Sequence, residues 1–361
     1  MTDSLEIDFL STQSDKSGDA ITARYISAGQ QYVHVVDAGY QKTAEHVCAH
    51  LRAHYGNVES IDHLVVTHPD NDHAGGIVPL MDEFNVKNIW MLRPWSYTSE
   101  LIQFFTTYSS KNALEQTLKK AYPLIAGIEE AAISKGIPIR EPLQGTNIGL
   151  FKVMSPTLDH YLLQILCSDR TPEASIEESF SSKVIAKFSR IIKDGLEFVA
   201  SGWGEEIFPD AETSPENEMS VIQLLHHCNS KILLTADAGR KALEIAKNYA
   251  PQAGITLPGI DCFQVPHHGS SKNVNATLLN AWIGPTLANK LPDGESKFSA
   301  IVSAAKKDPT HPRLAVTRAM WHRGAHVAST ESVGKLYSAN RSRPGWSSCT
   351  PLPYPTTQES E

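Results

Sequence analysis

Short apolar runs that read as strands alternate with stretches of helical period along most of the chain. Leu5 to Leu10 alternates apolar and polar, Ala20 to Ile26 is rich in β-formers, and Tyr32 to Val36 runs into Asp37-Ala-Gly39. A helix is predicted from about Thr43 to Tyr55, with Ala44, Val47, Cys48 and Leu51 on one face. A buried strand, His63 to Thr67, and a second, Asn88 to Leu92, close the first αβ unit. The strand pattern returns at Ser220 to Leu225, Lys231 to Thr235, Cys262 to Val265 and Ala300 to Ser303. A helix from Arg240 to Tyr249 separates two of these, a helix from Arg313 to Arg323 follows, and Ala325 to Ser329 reads as the last strand.

Between these halves, residues 97–136 carry Leu101, Phe104, Phe105 and Tyr108 at helical spacing. Residues 158–192 also read as largely helical, with a charged, Ser-rich middle. Both are taken as insertions on a β scaffold, since neither is long enough for a core of its own. The order predicts an α/β protein in which two sheets are covered by outer helices, an αββα sandwich with helical insertions. It would form a single domain over residues 1–336, followed by an extended or disordered tail, 337–361, rich in Ser, Pro and Thr.

Composition narrows the function. A length of 361 residues with 41% hydrophobic and 20% charged residues is that of an ordinary globular protein. A net charge of −8 argues against a non-specific duplex DNA coat, although bound metal would supply local positive charge that this count omits. Cys48, Cys167, Cys228, Cys262 and Cys349 show no paired spacing and no disulfide framework. The first residues lack the basic start and apolar run of a secretory signal, and no apolar stretch is long enough to span a membrane, so a cytoplasmic enzyme with no membrane partner is expected.

The chemistry concentrates at strand ends. His68, Asp70, Asp72 and His73 fall within six residues, directly after the apolar run 63–67. Imidazole and carboxylate are good first-row metal ligands, and Pro69, Gly75 and Gly76 permit the tight turn that convergence needs. Clusters of Asp, Asn and Pro more often make plain surface turns, but two histidines and two aspartates at this density favour a metal site. Asp237 follows a second buried strand and reads equally as a helix N-cap or a ligand. His267 and His268 follow a third, in Val265-Pro-His-His-Gly-Ser-Ser271.

The segment Thr67-His-Pro-Asp-Asn-Asp-His-Ala-Gly-Gly76 is similar to the metallo-β-lactamase superfamily signature His-x-His-x-Asp-His, with Asp70 where the second His is usual. That Asp, the Leu-Leu-Thr-x-Asp setting of Asp237 and the Val-Pro-His-His-Gly-Ser run resemble the hydrolase domain of the DNA-uptake competence protein ComEC and its stand-alone relatives. So do Ser17-Gly-Asp-Ala-Ile21, Val35 to Gly39, Ser155-Pro156 with Tyr161, Asn217 to Val221, Thr310-His-Pro312 and Ser329 to Gly334. The resemblance implies the metallo-β-lactamase αββα fold.

Residue by residue, the resemblance places His68 and Asp70 on a first metal position and Asp72 and His73 on a second. Asp237 would bridge the two or hold one ion. His267 completes the second position, with His268 either in its stead or as proton donor to the leaving group. Asp37 would orient the metal loop. The family's further upstream histidine has no counterpart: His226 and His227 read as turn residues, so the centre holds one ion or two. Zinc is expected, with manganese as the alternative because the set is carboxylate-rich.

Water activated on the ion would attack, Asp72 or Asp237 would accept the proton, and His268 or His311 would serve the leaving oxygen. Asn217, Ser220, Ser270 and Lys272 are the candidate substrate contacts. The implied activity is that of a phosphodiesterase or nuclease on a nucleotide or nucleic-acid-type substrate, such as single-stranded DNA or a small phosphodiester. The alternatives are a thioester or lactone hydrolase of the same fold, and a metal-binding regulatory module without turnover.

Overall fold

The computed structural model describes residues 2–108, 110–172, 197–331 and 333–360. Two seven-stranded sheets face each other. In spatial order the first holds Lys335–Ala339, Ser4–Phe9, Ala20–Ser27, Gln30–Ala38, His63–Val65, Ile89–Trp90 and Ile139–Arg140. The second holds Ala325–Ser329, Phe298–Val302, Cys262–Gln264, Ser230–Leu234, Ile222–His227, Phe151–Ser155 and Asn147–Ile148. Each sheet is antiparallel in one half and parallel in the other. The parallel halves matter for function, because side chains just beyond the carboxyl ends of such strands converge on a common crevice.

The apolar runs are continuous because both faces of the second sheet are covered. Ile232 and Leu234 belong to the core shared with the first sheet, whereas Leu233 belongs to a separate core beneath the outer helices. Cys262 and Phe263 divide the same way, as do Ile301 and its neighbours Ala300 and Val302. The outer core is closed by Leu243 and Ala246 of helix Arg240–Tyr249, Trp282 of Ala276–Ile283, and Met320 of Leu314–His322. This is the predicted αββα sandwich.

The first insertion forms helices Thr98–Leu101, Lys111–Ala121 and Pro123–Ser134, which pack Leu114, Leu118, Ile125 and Ile128 into the core of the first sheet. The second begins with helix Leu158–Cys167, and its portion beyond residue 172 lies outside the described residues up to 196. Among the described residues no helix is long and apolar enough to cross a membrane.

The tail is extended and tied down. Lys335–Ala339 pairs with Ser4–Phe9, and Thr357–Ser360 pairs with Glu197–Ala200. Glu359 caps helix Leu314–His322 by accepting hydrogen bonds from the amides of Leu314 and Ala315. The alternating run Leu5 to Leu10 has no wet face. Glu6 and Asp8 are fully buried, with Arg24 and Arg341 on Glu6, Arg343 on both carboxylates, and His50 and Tyr55 on Asp8.

Candidate metal centre

The centre is assembled where the two sheets meet at their strand ends, and several bonds sew that seam. The Val221 amide donates to the Thr67 carbonyl at 3.1 Å. Gln264 accepts from the amides of Thr235 and Ala236 with Oε1 and donates to Asp19 Oδ2 at 2.8 Å with Nε2. Gly76 lets the histidine loop lie flat on the first sheet, because a Cβ there would stand 2.3 Å from the Ala38 carbonyl oxygen. Gly239, after Asp237, makes room for Glu218, whose carboxylate accepts from the amides of Lys241 and Ala242 and caps helix Arg240–Tyr249. That cap leaves Asp237 free of the N-cap role open to it from sequence.

Four non-glycine residues at the seam, Asp37, Ala236, His267 and His268, have φ between 46° and 57°. Such left-handed backbone costs on the order of 1 kcal/mol or more per residue and persists only where surrounding contacts enforce it. Here it swings consecutive imidazoles of the His-His-Gly run into the same crevice. Asp70 is equally diagnostic: it occupies the N-cap position of helix Asn71–Ala74 but its carboxylate makes no capping bond. It forgoes a contribution of about 1 kcal/mol and instead pairs one oxygen with Arg170 and turns the other toward His68, 3.8 Å from Nε2.

Asp72, His73, Asp237 and His268 converge closely enough to hold an ion, and a looser set gathers about the other oxygen of Asp237. Asp237 Oδ1 lies 3.2 Å from His73 Nε2 and 3.7 Å from His268 Nε2, and Asp72 Oδ2 lies 3.3 and 3.8 Å from His268 and His73 respectively. Asp237 Oδ2 lies 3.8 Å from His68 Nε2 and 3.6 Å from His267 Nε2, with Asp70 beside His68. Ligands about 2.0 to 2.2 Å from a tetrahedral ion stand about 3.3 to 3.6 Å apart. Despite this closeness, His68 Nε2, His73 Nε2 and Asp237 Oδ1 are buried without a hydrogen-bond partner. Buried polar atoms in folded proteins generally find partners, so three lone pairs clustered about one point fit a bound cation.

Tautomers support the same assignment. His73 Nδ1 donates to Asp37 Oδ2 at 2.8 Å, which leaves the Nε2 lone pair for an ion. Asp37 also accepts from the amide and hydroxyl of Thr67. Asn273 donates to the carbonyls of Asp237 and Ala238, so its Oδ1 accepts from His267 Nδ1 at 3.0 Å and turns His267 Nε2 toward Asp237.

Burial by itself would lower His73 and His268, but the Asp237 charge, reinforced by Asp72, outweighs it. His73 is held well above the usual imidazole range and His268 at about 9. Burial would raise Asp237, yet the charges of His73, His268 and His267 hold it well below the carboxylate range. The negative field that favours protons on these rings favours a divalent cation in their place.

Set against the sequence expectations, the structure gathers His68, Asp70, Asp72, His73, Asp237, His267 and His268 at one centre, but distributes the adjacent histidines differently. His268, not His267, joins Asp72 and His73; His267 faces the oxygen shared with His68, where the family's upstream histidine was missing. His226 and His227 lie at the far end of their strand, where His227 Nε2 contacts the Ile26 carbonyl.

His311 stands at the rim, its ring 5.6 Å from that of His267 and 6.2 Å from that of His268. Its Nδ1 donates to Asp308 Oδ2 at 3.1 Å, and burial with the neighbouring histidines lowers it to about 4, so the ring is neutral. Asn217 and Ser220 are both buried rather than on an open surface; Asn217 Nδ2 donates to Thr213 and sits 3.2 Å from His267 Nδ1. The Ser270 hydroxyl caps its own turn, and Lys272 is exposed.

Asp19, Gln264, Asn273, Asp308 and Arg170 were not singled out from the sequence. Of these, only Asp19 lay in a quoted motif, Ser17-Gly-Asp-Ala-Ile21. As a check on the orienting role of Asp37, Asp37→Asn should weaken metal binding by about 10- to 100-fold in a calorimetric titration while leaving the circular dichroism spectrum intact.

Residues 25–139 match the family model described as the metallo-beta-lactamase superfamily. No curated protein matches the chain significantly. Among solved structures the chain is similar to the metallo-beta-lactamase fold protein YhfI from Bacillus subtilis, at 11% identity over 93% of this chain and 100% of that one, TM-score 0.42. It is also similar to the metallo-beta-lactamase SMB-1 in complex with mercaptoacetic acid, at 11% identity over 73% of this chain and 81% of that one, TM-score 0.32. The segment matched by the family model carries Asp37 and the whole run His68 to Gly76, the loop that supplies four of the ligand-type side chains gathered at the centre.

Proposed function

We propose that this protein hydrolyses phosphodiester bonds in a nucleotide or nucleic-acid-type substrate. The observation that carries the reading is the shared carboxylate of Asp237, one oxygen turned to each of two ligand groups. Paired positions of that kind suit in-line displacement at phosphorus, where both the attacking and the leaving oxygen need stabilisation. A bound divalent ion, zinc or in this carboxylate-rich setting manganese, supplies activated water and polarises the phosphoryl group. The resemblance to the ComEC-type hydrolase domain supports the same substrate class.

The protein's own groups divide the remaining work. Asp72, partly exposed on the open side, accepts the proton of the attacking water. His311, with Nδ1 held by Asp308, would relay through Nε2 the proton taken up by Asp72 and deliver it to the leaving oxygen. Lys272 meets substrate from the exposed turn beyond the histidines.

The test is reconstitution. Metal-free protein would be loaded with zinc or manganese and assayed on single-stranded DNA, a cyclic dinucleotide, bis(p-nitrophenyl) phosphate and a lactone, beside an Asp72→Ala/His73→Ala control. Metal-dependent cleavage of a phosphodiester, lost in the control, is expected. Turnover of the lactone alone would replace the reading with the ester-hydrolase one, and tight metal binding without turnover of anything would sink the hydrolase claim.

A further inference from the structure

Among the described residues Asp70 is the one ligand candidate engaged by an arginine or lysine. Its Oδ1 accepts from Arg170 Nη2, while Oδ2 faces His68. Arg170 follows helix Leu158–Cys167, and its position is fixed from two sides. The Ser168 hydroxyl accepts from the Arg170 amide at 3.1 Å and itself donates to Glu216, and Arg170 Nε lies 3.7 Å from Glu216 Oε1. Glu216 is buried and belongs to the same short helix, Pro215–Glu218, whose Asn217 lies against His267. The guanidinium itself is 41% exposed on the open side of the centre. A rigidly anchored, solvent-reachable cation thus holds one oxygen of one ligand, and only on the His68 side.

We infer that Arg170 is a positioning residue that keeps the first metal position, His68, Asp70, Asp237 Oδ2 and His267, weaker than the second. By drawing the Asp70 carboxylate toward itself it lowers that group's donor strength and adds a positive charge beside the position, whereas among the described residues no arginine or lysine pairs with Asp72, which faces only His73 and His268. An anion that takes over the guanidinium frees Asp70, so a phosphate-bearing substrate fills the first position as it binds. This last link rests on the phosphodiester reading; the control of occupancy by Arg170 does not.

The experiment is a calorimetric titration of metal-free full-length protein with manganese, with and without inorganic phosphate, on the natural chain, Arg170→Ala and Arg170→Lys. The natural chain is expected to bind one ion tightly and a second more weakly. Arg170→Ala, by removing a positive charge that repels the ion, should tighten the weaker step about tenfold and leave the tighter step unchanged. Arg170→Lys, which keeps the charge but not the fork, should fall between. Phosphate should tighten the weak step of the natural chain and not that of Arg170→Ala.

Unchanged steps in Arg170→Ala, or a change confined to the tight step, would overturn the inference. Tightening in Arg170→Ala with no phosphate effect in the natural chain upholds the role of Arg170 and counts against the phosphodiester reading instead. Circular dichroism of each variant separates a folding defect, which would loosen both steps together, from the selective effect.

Discussion

Asp237→Asn should strip the protein of metal at both positions, where His268→Ala and His267→Ala should each remove one. The carboxylate is 2% exposed and each of its oxygens belongs to a different ligand group. An amide preserves shape but removes the charge and turns hydrogens toward one group. Loss of a supporting residue around a metal already costs about 10- to 100-fold in affinity, so loss of a shared ligand should exceed about 100-fold, with turnover falling at least as far. His268→Ala removes the ring that completes Asp72, His73 and Asp237 and should abolish turnover with one ion retained. His267→Ala should retain the ion at the second position. Elemental analysis after dialysis reads all three variants; two ions surviving in Asp237→Asn would refute the shared-carboxylate geometry.

Arg343→Met should be the most destabilising single change outside the centre. Asp8 is fully buried, and Arg343, itself 6% exposed, grips both of its oxygens at 2.6 and 2.8 Å. Removing one partner of a buried pair leaves an uncompensated charge and costs about 3–5 kcal/mol. His50, 3.2 Å away on the other side, keeps the effect toward the lower figure. At roughly 2–4 °C per kcal/mol, the melting temperature should fall by roughly 5 to 15 °C.

The pH dependence gives a second signature. Burial would raise Asp8, but the hydrogen bonds of His50 and Arg343 outweigh it and hold the group below its ordinary value of 3.8. A depressed carboxylate contributes stability that is present above its unfolded pKa and lost as pH falls through its folded one. The gap between the natural chain and Arg343→Met should therefore be full near neutrality and close below about pH 4. Denaturant melts at three pH values check this; a gap under 1 kcal/mol at neutrality, or one that does not narrow in acid, would contradict it.

What the sequence makes legible follows the range of each interaction. The His68 to Gly76 loop could be read because its ligands lie within six residues and their density is improbable for a turn. The sandwich could be read because continuous apolar strands imply cover on both faces. The division of labour between His267 and His268 could not, because it depends on two successive left-handed residues and on Asn273, which reports its role only through bonds to Asp237 and Ala238. Asp19 and Gln264 are bonded across 245 residues, and Arg170 and Asp70 across 100, so no local pattern signals either pair. The run Leu5 to Leu10 suggests one polar face in water, yet its charges are covered by cations from residues 341 and 343 of the tail.

That same strand has a history during synthesis. Its partner on one side, Ala20–Ser27, emerges at once, but its partner on the other, Lys335–Ala339, follows only after roughly 300 further residues. At about 5 to 20 residues per second, Ser4–Phe9 spends roughly 15 to 65 seconds as an open edge rich in apolar residues. Arg24 of that first partner already pairs with Glu6, whereas Asp8 waits for Arg343, so the open edge carries a negative charge without its arginine, which disfavours pairing with another copy of itself. The carboxylate that locks the finished fold thus first guards an open edge, and the arginine that later neutralises it arrives together with the strand that closes that edge.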